Sequence, residues 1–232
     1  MRRDILVVTD NLVFADWFSN WEIVDYSFDV YCSADDINNT GLRELNINSV
    51  SDQKLGRYHA IISAHCLTFF SSRVVNNFWC INIHPGYLPL NRGWYTHVFA
   101  IANSYSCGVT IHRMDEKLDN GPIYVRKIYH PHQHETGFDV YHVLLKLEIE
   151  MVKECLQGIL DGYTLPIKCE NEKSLYTSSK DFSSLCVFRG DEVLNFKSFF
   201  DRMRALSHPP YNNCFLLLDN GDKVHFRLEI LE

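Results

Sequence analysis

The stretch Trp79-Cys80-Ile81-Asn82-Ile83-His84-Pro85-Gly86-Tyr87-Leu88-Pro89 decides how this chain is read. Its apolar first half predicts a buried strand over 79–83. Asn82 and His84 lie two apart at the end of that strand, so their side chains share one side. Pro85, Gly86 and Pro89 then fix the loop that follows. Working back toward the N-terminus, apolar runs over 5–8, 28–32 and 58–63 predict three more strands. The segments between them are long enough for helical crossovers. That alternation argues for an α/β fold built on a parallel sheet with helices on both faces. Open α/β sheets place their ligands at the carboxyl ends of the strands, which is where Asn82 and His84 sit.

Working forward, the pattern changes. A short helix is expected over 98–103, and alternating strands over 108–114 and 122–129. The turn signal Asp119-Asn120-Gly121 lies between those strands, giving a hairpin or two neighbouring strands with a functional loop. The clearest helix spans 137–160, with Val140, Val143, Leu144, Leu147, Met151 and Leu160 on one face. Gly162 supplies its left-handed cap. At the other end of the chain, Asp10 or Asn11 can cap a helix over 12–21. Residues 163–184 are polar and rich in Ser and Lys, and read as a connecting segment. Beyond it a small unit is expected: a strand at 185–188, a helix over 195–206, and a hairpin of 214–218 and 224–230 around Asp219-Asn220-Gly221.

Composition narrows the function classes. With 232 residues the chain can build one good core and a small accessory lobe. Hydrophobic residues are 46% and charged residues 22%, the balance of an ordinary globular protein. The net charge of -7 and the lack of a basic face argue against a nucleic-acid partner. Eight cysteines occur without any Cys-x-x-Cys pair, so they read as free thiols in a reducing compartment. The N-terminal apolar run is too short for a signal-peptide core. No stretch approaches the roughly 20 apolar residues of a membrane span. A soluble cytoplasmic protein with no membrane partner is the expectation. His130, His132 and His134 can share one strand face, but no Cys or carboxylate spacing supports a metal there, and none is expected. No Gly-x-Gly-x-x-Gly or Gly-Lys-Ser/Thr loop is present, against a dinucleotide oxidoreductase or an NTPase.

Asn-x-His alone also suits a strand-end amide and a satisfied core imidazole, and Asp119-Asn120-Gly121 alone is a plain turn. Together they carry more. Asn82-Ile83-His84-Pro85 is followed by Gly108-Val109-Thr110-Ile111-His112-Arg113-Met114-Asp115, and then by Leu118-Asp119-Asn120-Gly121. His134-Glu135-Thr136-Gly137 with Tyr141 opens the long helix. In this order the motifs resemble the folate-dependent formyltransferases, over residues 1 to about 165. Asn91-Arg92-Gly93-Trp94-Tyr95 and Ala205-Leu206-Ser207-His208-Pro209-Pro210-Tyr211 look like the branch that formylates dTDP-linked 3- or 4-amino-dideoxyhexoses.

The resemblance implies a Rossmann-like formyltransferase fold, with a catalytic domain over 1–165 and a small C-terminal α+β unit over 166–232 that forms a homodimer. It implies Asn82, His84 and Asp119 as the catalytic residues and N10-formyltetrahydrofolate as formyl donor. The folate is expected against Ala64, His65, Cys66 and Leu67 and against the loop from Asp115 to Leu118. Asp10, Asn11, Arg92, Trp94 and Tyr95 are the expected contacts of the nucleotide sugar. The acceptor favoured is dTDP-4-amino-4,6-dideoxyglucose, for bacterial surface polysaccharide (O-antigen) synthesis; the alternatives are its 3-amino regioisomer, a glycinamide ribonucleotide, and a non-catalytic nucleotide-sugar or folate binder. A tRNA acceptor would call for a basic tail, whereas residues 181–232 carry six Lys and Arg against eight Asp and Glu.

Overall fold

The computed structural model describes residues 2–34, 40–169 and 173–230. They form two compact units: residues 1–84, 110–125 and 151–170, and residues 85–109, 126–150 and 171–232.

In the first unit, β1 (Arg3–Thr9), α1 (Leu12–Asn20), β2 (Tyr26–Tyr31), α2 (Asp52–Leu55), β3 (Ala60–Ala64), α3 (Ser72–Asn77) and β4 (Cys80–His84) follow in order. β1 pairs in parallel with β2 and β3, and β3 with β4. The run Ile5-Leu6-Val7-Val8 is at most 1% exposed on either face of the sheet. This is why it is continuous rather than alternating. Each such side chain contributes about 1.5–3 kcal/mol by leaving water. Leu6, Val8, Ile61 and Cys80 pack on one face with Phe70, Val74 and Val75. Asn11 caps α1, its Oδ1 accepting from Val13 N at 3.0 Å and Phe14 N at 3.2 Å.

The chain continues through β5 (Arg92–Gly93), α4 (Thr96–Ala102), β6 (Cys107–Arg113), β7 (Ile123–Tyr129) and α5 (Gly137–Leu160). β6 runs antiparallel to β4. The six-stranded sheet has the order β2-β1-β3-β4-β6-β7. Arg113 N donates to Pro122 O at 2.8 Å, closing the loop that joins β6 to β7. Tyr26 donates its hydroxyl to Asp161 Oδ1 at 2.6 Å, tying β2 to the residue after α5. Gly162 has φ 79°, the left-handed cap expected there.

The second unit adds β8 (Tyr176–Thr177), α6 (Ser179–Leu185), β9 (Val187–Arg189), α7 (Phe196–Leu206), β10 (Ser207–His208), β11 (Tyr211–Asn212), β12 (Phe215–Leu217) and β13 (Lys223–His225). β12 pairs with β13 as the expected hairpin and lies parallel to β9. α4 packs against α7. The segment expected to be a mere connection carries regular elements; its residues 170–172 lie outside the described residues. It holds β8, which pairs with β5, and α6. α6 is polar because none of its residues is buried. Its start is a capping box: Ser178 Oγ accepts from Asp181 N, and Asp181 Oδ2 accepts from Ser178 N at 2.8 Å. Among the described residues no helix is long and apolar enough to cross a membrane.

Candidate active site

Asn82 stands in a row across the sheet, opposite Ser63 on β3 and His112 on β6. Its Nδ2 lies 3.2 Å from His112 Nε2 and 3.4 Å from Asp119 Oδ1. His84, two residues on along β4, places Nδ1 3.7 Å from the same carboxylate oxygen, and His112 Nε2 lies 3.8 Å from it. The three residues expected to be catalytic therefore converge around Asp119 Oδ1. His84 and Asp119 are 5% and 6% exposed, so charges here are weakly screened.

His112, not among the residues expected to be catalytic, completes the cluster. Its Nδ1 lies 2.9 Å from the Arg113 carbonyl. A carbonyl can only accept, so Nδ1 carries the proton. Burial, opposed by the Asp119 charge, pushes the imidazole pKa below its ordinary range. A neutral ring with Nδ1–H has a bare Nε2, which accepts from Asn82 Nδ2. The second imidazole thus sets which way the Asn82 amide faces and turns its other N–H toward Asp119.

This burial has a consequence for stability. His112 and His208 are both held below the ordinary imidazole range, His208 by its own burial and then by His142. The unfolded chain takes up protons near pH 6.5 that the folded chain refuses, so stability present above that pH is lost below it. The slope is at most about 1.4 kcal/mol per pH unit for buried His112 and smaller for half-buried His208. Urea unfolding on either side of that pH reads the slope, and His112→Asn is expected to flatten it.

The loop carrying Asp119 is built tightly. Asp119 has φ 49°, a left-handed conformation that Asp tolerates better than most residues. Asp115 accepts from Lys117 N at 2.9 Å and from Asn120 Nδ2 at 3.0 Å. A Cβ at Gly121 would lie 1.8 Å from the Arg113 carbonyl oxygen, so only glycine fits. Leu118, just before Asp119, is half-buried.

The loop after β3 is held by Asp10. This carboxylate is 1% exposed. Oδ1 accepts from Ser33 N at 2.7 Å, and Oδ2 from Ser33 Oγ at 2.7 Å and Leu67 N at 2.6 Å. One side chain thus ties together the carboxyl ends of β1, β2 and β3. Ala64 is buried, and His65 is left-handed at φ 52° with its ring 5.2 Å from Phe14. Burial, and then the Asp10 charge, push the Cys66 thiol up to about 12, so it is no nucleophile. Asp10→Asn keeps an acceptor but turns a donor toward one of these donors. It is expected to cost about 1–3 kcal/mol, read as a lower urea midpoint at unchanged slope.

Asp10 and Asn11, expected to meet the nucleotide sugar, thus have their side-chain oxygens engaged by the protein. The other expected contacts lie in the second unit. Arg92 N donates to Leu175 O and Trp94 N to Thr177 O, both at 2.9 Å, while Thr177 Oγ1 donates to Trp94 O at 2.8 Å. Gly93, at φ 91°, lets Thr177 O approach to 2.1 Å from where a Cβ would be. Trp94 and Tyr95 are 39% and 40% exposed. Tyr95 stacks on Phe182, ring centroids 3.8 Å apart. Among the described residues no cluster of His, Cys, Asp and Glu is arranged to hold a metal ion.

Residues 31–156 match the family described as formyl transferase, and residues 181–232 match the N-formyltransferase dimerization C-terminal domain. The chain is 34% identical over 172 residues to the dTDP-4-amino-4,6-dideoxyglucose formyltransferase of Mycobacterium bovis, covering 74% of this chain and 73% of that one. It also resembles the solved structure of a 4-N formyltransferase from Francisella tularensis, with TM-score 0.91 and 33% identity over 99% of this chain and 98% of that one. A sugar N-formyltransferase from Shewanella sp FDAARGOS_354 gives TM-score 0.86 and 34% identity over 99% and 98%.

Proposed function

This chain belongs to the formyl transferase family, and from that premise we propose that it moves the formyl group of N10-formyltetrahydrofolate to the 4-amine of dTDP-4-amino-4,6-dideoxyglucose. The observation that carries the acceptor is the 34% identity to the mycobacterial enzyme named for that sugar, across 74% of this chain. Asn82, His84 and Asp119 are the catalytic residues of this reading, supported by their convergence around one carboxylate oxygen.

The loop after β3 and the loop 115–118 suit a folate edge. Both carry backbone donors and acceptors on rigid supports, Asp10 under one and Asp115 under the other. Bound there, N10-formyltetrahydrofolate supplies an activated formyl carbon. Asn82 turns the N–H that now points at Asp119 onto the oxyanion formed as the amine attacks that carbon. Its other N–H stays on His112, which keeps the donor aimed. The Asp119 carboxylate offsets the positive charge gathering on the amine and orients His84. His84 and Asp119 accept the amine proton, directly or through water, and return one to N10 as the carbon–N10 bond breaks. One carbon–nitrogen bond forms and one breaks, with no change of oxidation state.

The same reading makes the protein a cytoplasmic enzyme of surface-polysaccharide (O-antigen) synthesis, with residues 1–165 as the catalytic domain and residues 166–232 as a dimerising unit. The dimer is supported by the match over 181–232 and by Val193 and Phe196, which are 94% and 81% exposed in that unit. Side chains so apolar and so exposed suit a covered surface. Sedimentation at micromolar concentration is expected to show a dimer, and Phe196→Glu to shift it toward monomer; a wild-type monomer contradicts the proposal.

The acceptor is tested by offering the formyl donor with dTDP-linked 4-amino and 3-amino dideoxyhexoses, each in gluco and galacto form. The expected result is a kcat/KM highest for the 4-amino gluco sugar. A preference for a 3-amino sugar, or for glycinamide ribonucleotide, overturns the assignment.

A further inference from the structure

Arg204, on α7, has a guanidinium that is used only in part. Nε donates to Asp201 Oδ1 at 2.8 Å, and Nη1 donates to the carbonyls of His132 at 2.9 Å and Glu135 at 2.8 Å. These contacts take three of the five N–H donors of the side chain. Both donors on Nη2 remain, with no hydrogen bond among the described residues. The residue is only 5% exposed, yet Nη2 is not among the atoms sealed from solvent without a partner. The side chain lines a cleft of about 480 Å3 between α4, the chain after β7, and α7.

The other side chains of this cleft also present donors. Lys197 bonds Asp201 Oδ2 and gives a hydrogen to Ser104 Oγ at 3.0 Å. Ser104 Oγ therefore accepts, and its own hydroxyl hydrogen can still be donated. Ser106 Oγ and His130 Nδ1, 2.9 Å apart, line it as well. Lys197 and Arg204 carry two positive charges against the single negative charge of Asp201, whose oxygens are occupied by them. A chain of net charge -7 thus holds a cleft with surplus positive charge and several unspent donors. A guanidinium edge, an ammonium and hydroxyls match a group with many acceptor oxygens.

The geometry points to an anion site in this cleft, in which Arg204 Nη2, Lys197 and Ser104 bind a phosphate group, free or carried by a nucleotide. The guanidinium is fixed in advance by Asp201 and two carbonyls, so little side-chain freedom is lost on binding.

The test follows the Arg204 Nε–H signal by nitrogen-15 NMR on the full chain, independent of any turnover. Arg204→Lys identifies the signal by its loss. Inorganic phosphate and thymidine diphosphate are titrated separately, at ionic strength held constant with chloride. A saturable shift is expected, with affinity about fivefold weaker in Lys197→Ala and weakened in Ser104→Ala, each variant being titrated well below its own unfolding midpoint. Tighter binding of thymidine diphosphate assigns the cleft to a nucleotide, and equal binding to phosphate itself. The absence of a saturable shift into the tens of millimolar, or affinities unchanged in Lys197→Ala, overturns the proposal.

Discussion

Asn82→Ala is expected to lower kcat for formyl transfer by about 10²–10³, the usual effect of deleting one oxyanion donor. The KM for the nucleotide sugar is expected to stay within about twofold, because the lost bond forms only as the carbonyl oxygen gains charge. The structure explains why one amide matters so much. His112 Nε2 accepts from Asn82 at 3.2 Å while its Nδ1 is fixed on the Arg113 carbonyl at 2.9 Å. The amide cannot flip without setting its oxygen against a bare ring nitrogen. Its second N–H has only a long 3.4 Å contact with Asp119, so moving it to an oxyanion breaks little. Truncation also leaves the buried His112 Nε2 without its donor, at a cost of about 1–3 kcal/mol, so rates are compared well below the variant's unfolding midpoint. Single-turnover rates with both substrates saturating give the comparison. A kcat within tenfold of wild type, roughly 1.4 kcal/mol in the barrier, denies Asn82 the role.

Gly121→Ala is expected to damage stability and turnover together. The added Cβ would sit 1.8 Å from Arg113 O and 2.9 Å from Arg113 C. Those are backbone atoms of β6, held by the hydrogen bond from Arg113 N to Pro122 O at 2.8 Å. No side-chain rotation relieves the clash, so the loop must move outward, at a cost of about 1–3 kcal/mol. Asp119 lies two residues away in a left-handed conformation and moves with it. A displacement of about 1 Å in a positioned group typically costs on the order of 10² in rate. Urea unfolding and kcat on the same preparation test both parts. A variant as stable as wild type refutes the packing argument; a destabilised variant with full kcat separates the loop from catalysis.

Where a feature follows from neighbours along the chain, it was legible in the sequence. β1 shows as a continuous apolar run because both faces of the strand are buried. α5 spans Gly137–Leu160 as its apolar period predicts, with Gly162 in the left-handed cap. β8 and α6 escaped notice because α6 buries none of its residues and so carries no apolar stripe. Its one readable signal is local, Ser178 and Asp181 as a capping box. His112 escaped for another reason. On an alternating strand it looks like an ordinary interior residue, and its value comes from the antiparallel register that sets it against Asn82, thirty positions away. Asp10 shows the same limit. The sequence places it in a loop at the ligand edge, whereas only the fold brings Ser33 and Leu67 onto its oxygens. Arg204 likewise reads as one charge on a helix until His132, Glu135 and Asp201 surround it.

The most direct test is the mass of the sugar product. The protein is incubated with N10-formyltetrahydrofolate and dTDP-4-amino-4,6-dideoxyglucose, and the nucleotide-sugar fraction is weighed by mass spectrometry beside an Asn82→Ala control. The expected result is a gain of one formyl group on the sugar, matched by an equal amount of tetrahydrofolate and nearly absent in the control. An unchanged sugar mass, or formylation at the same rate by Asn82→Ala, would contradict it.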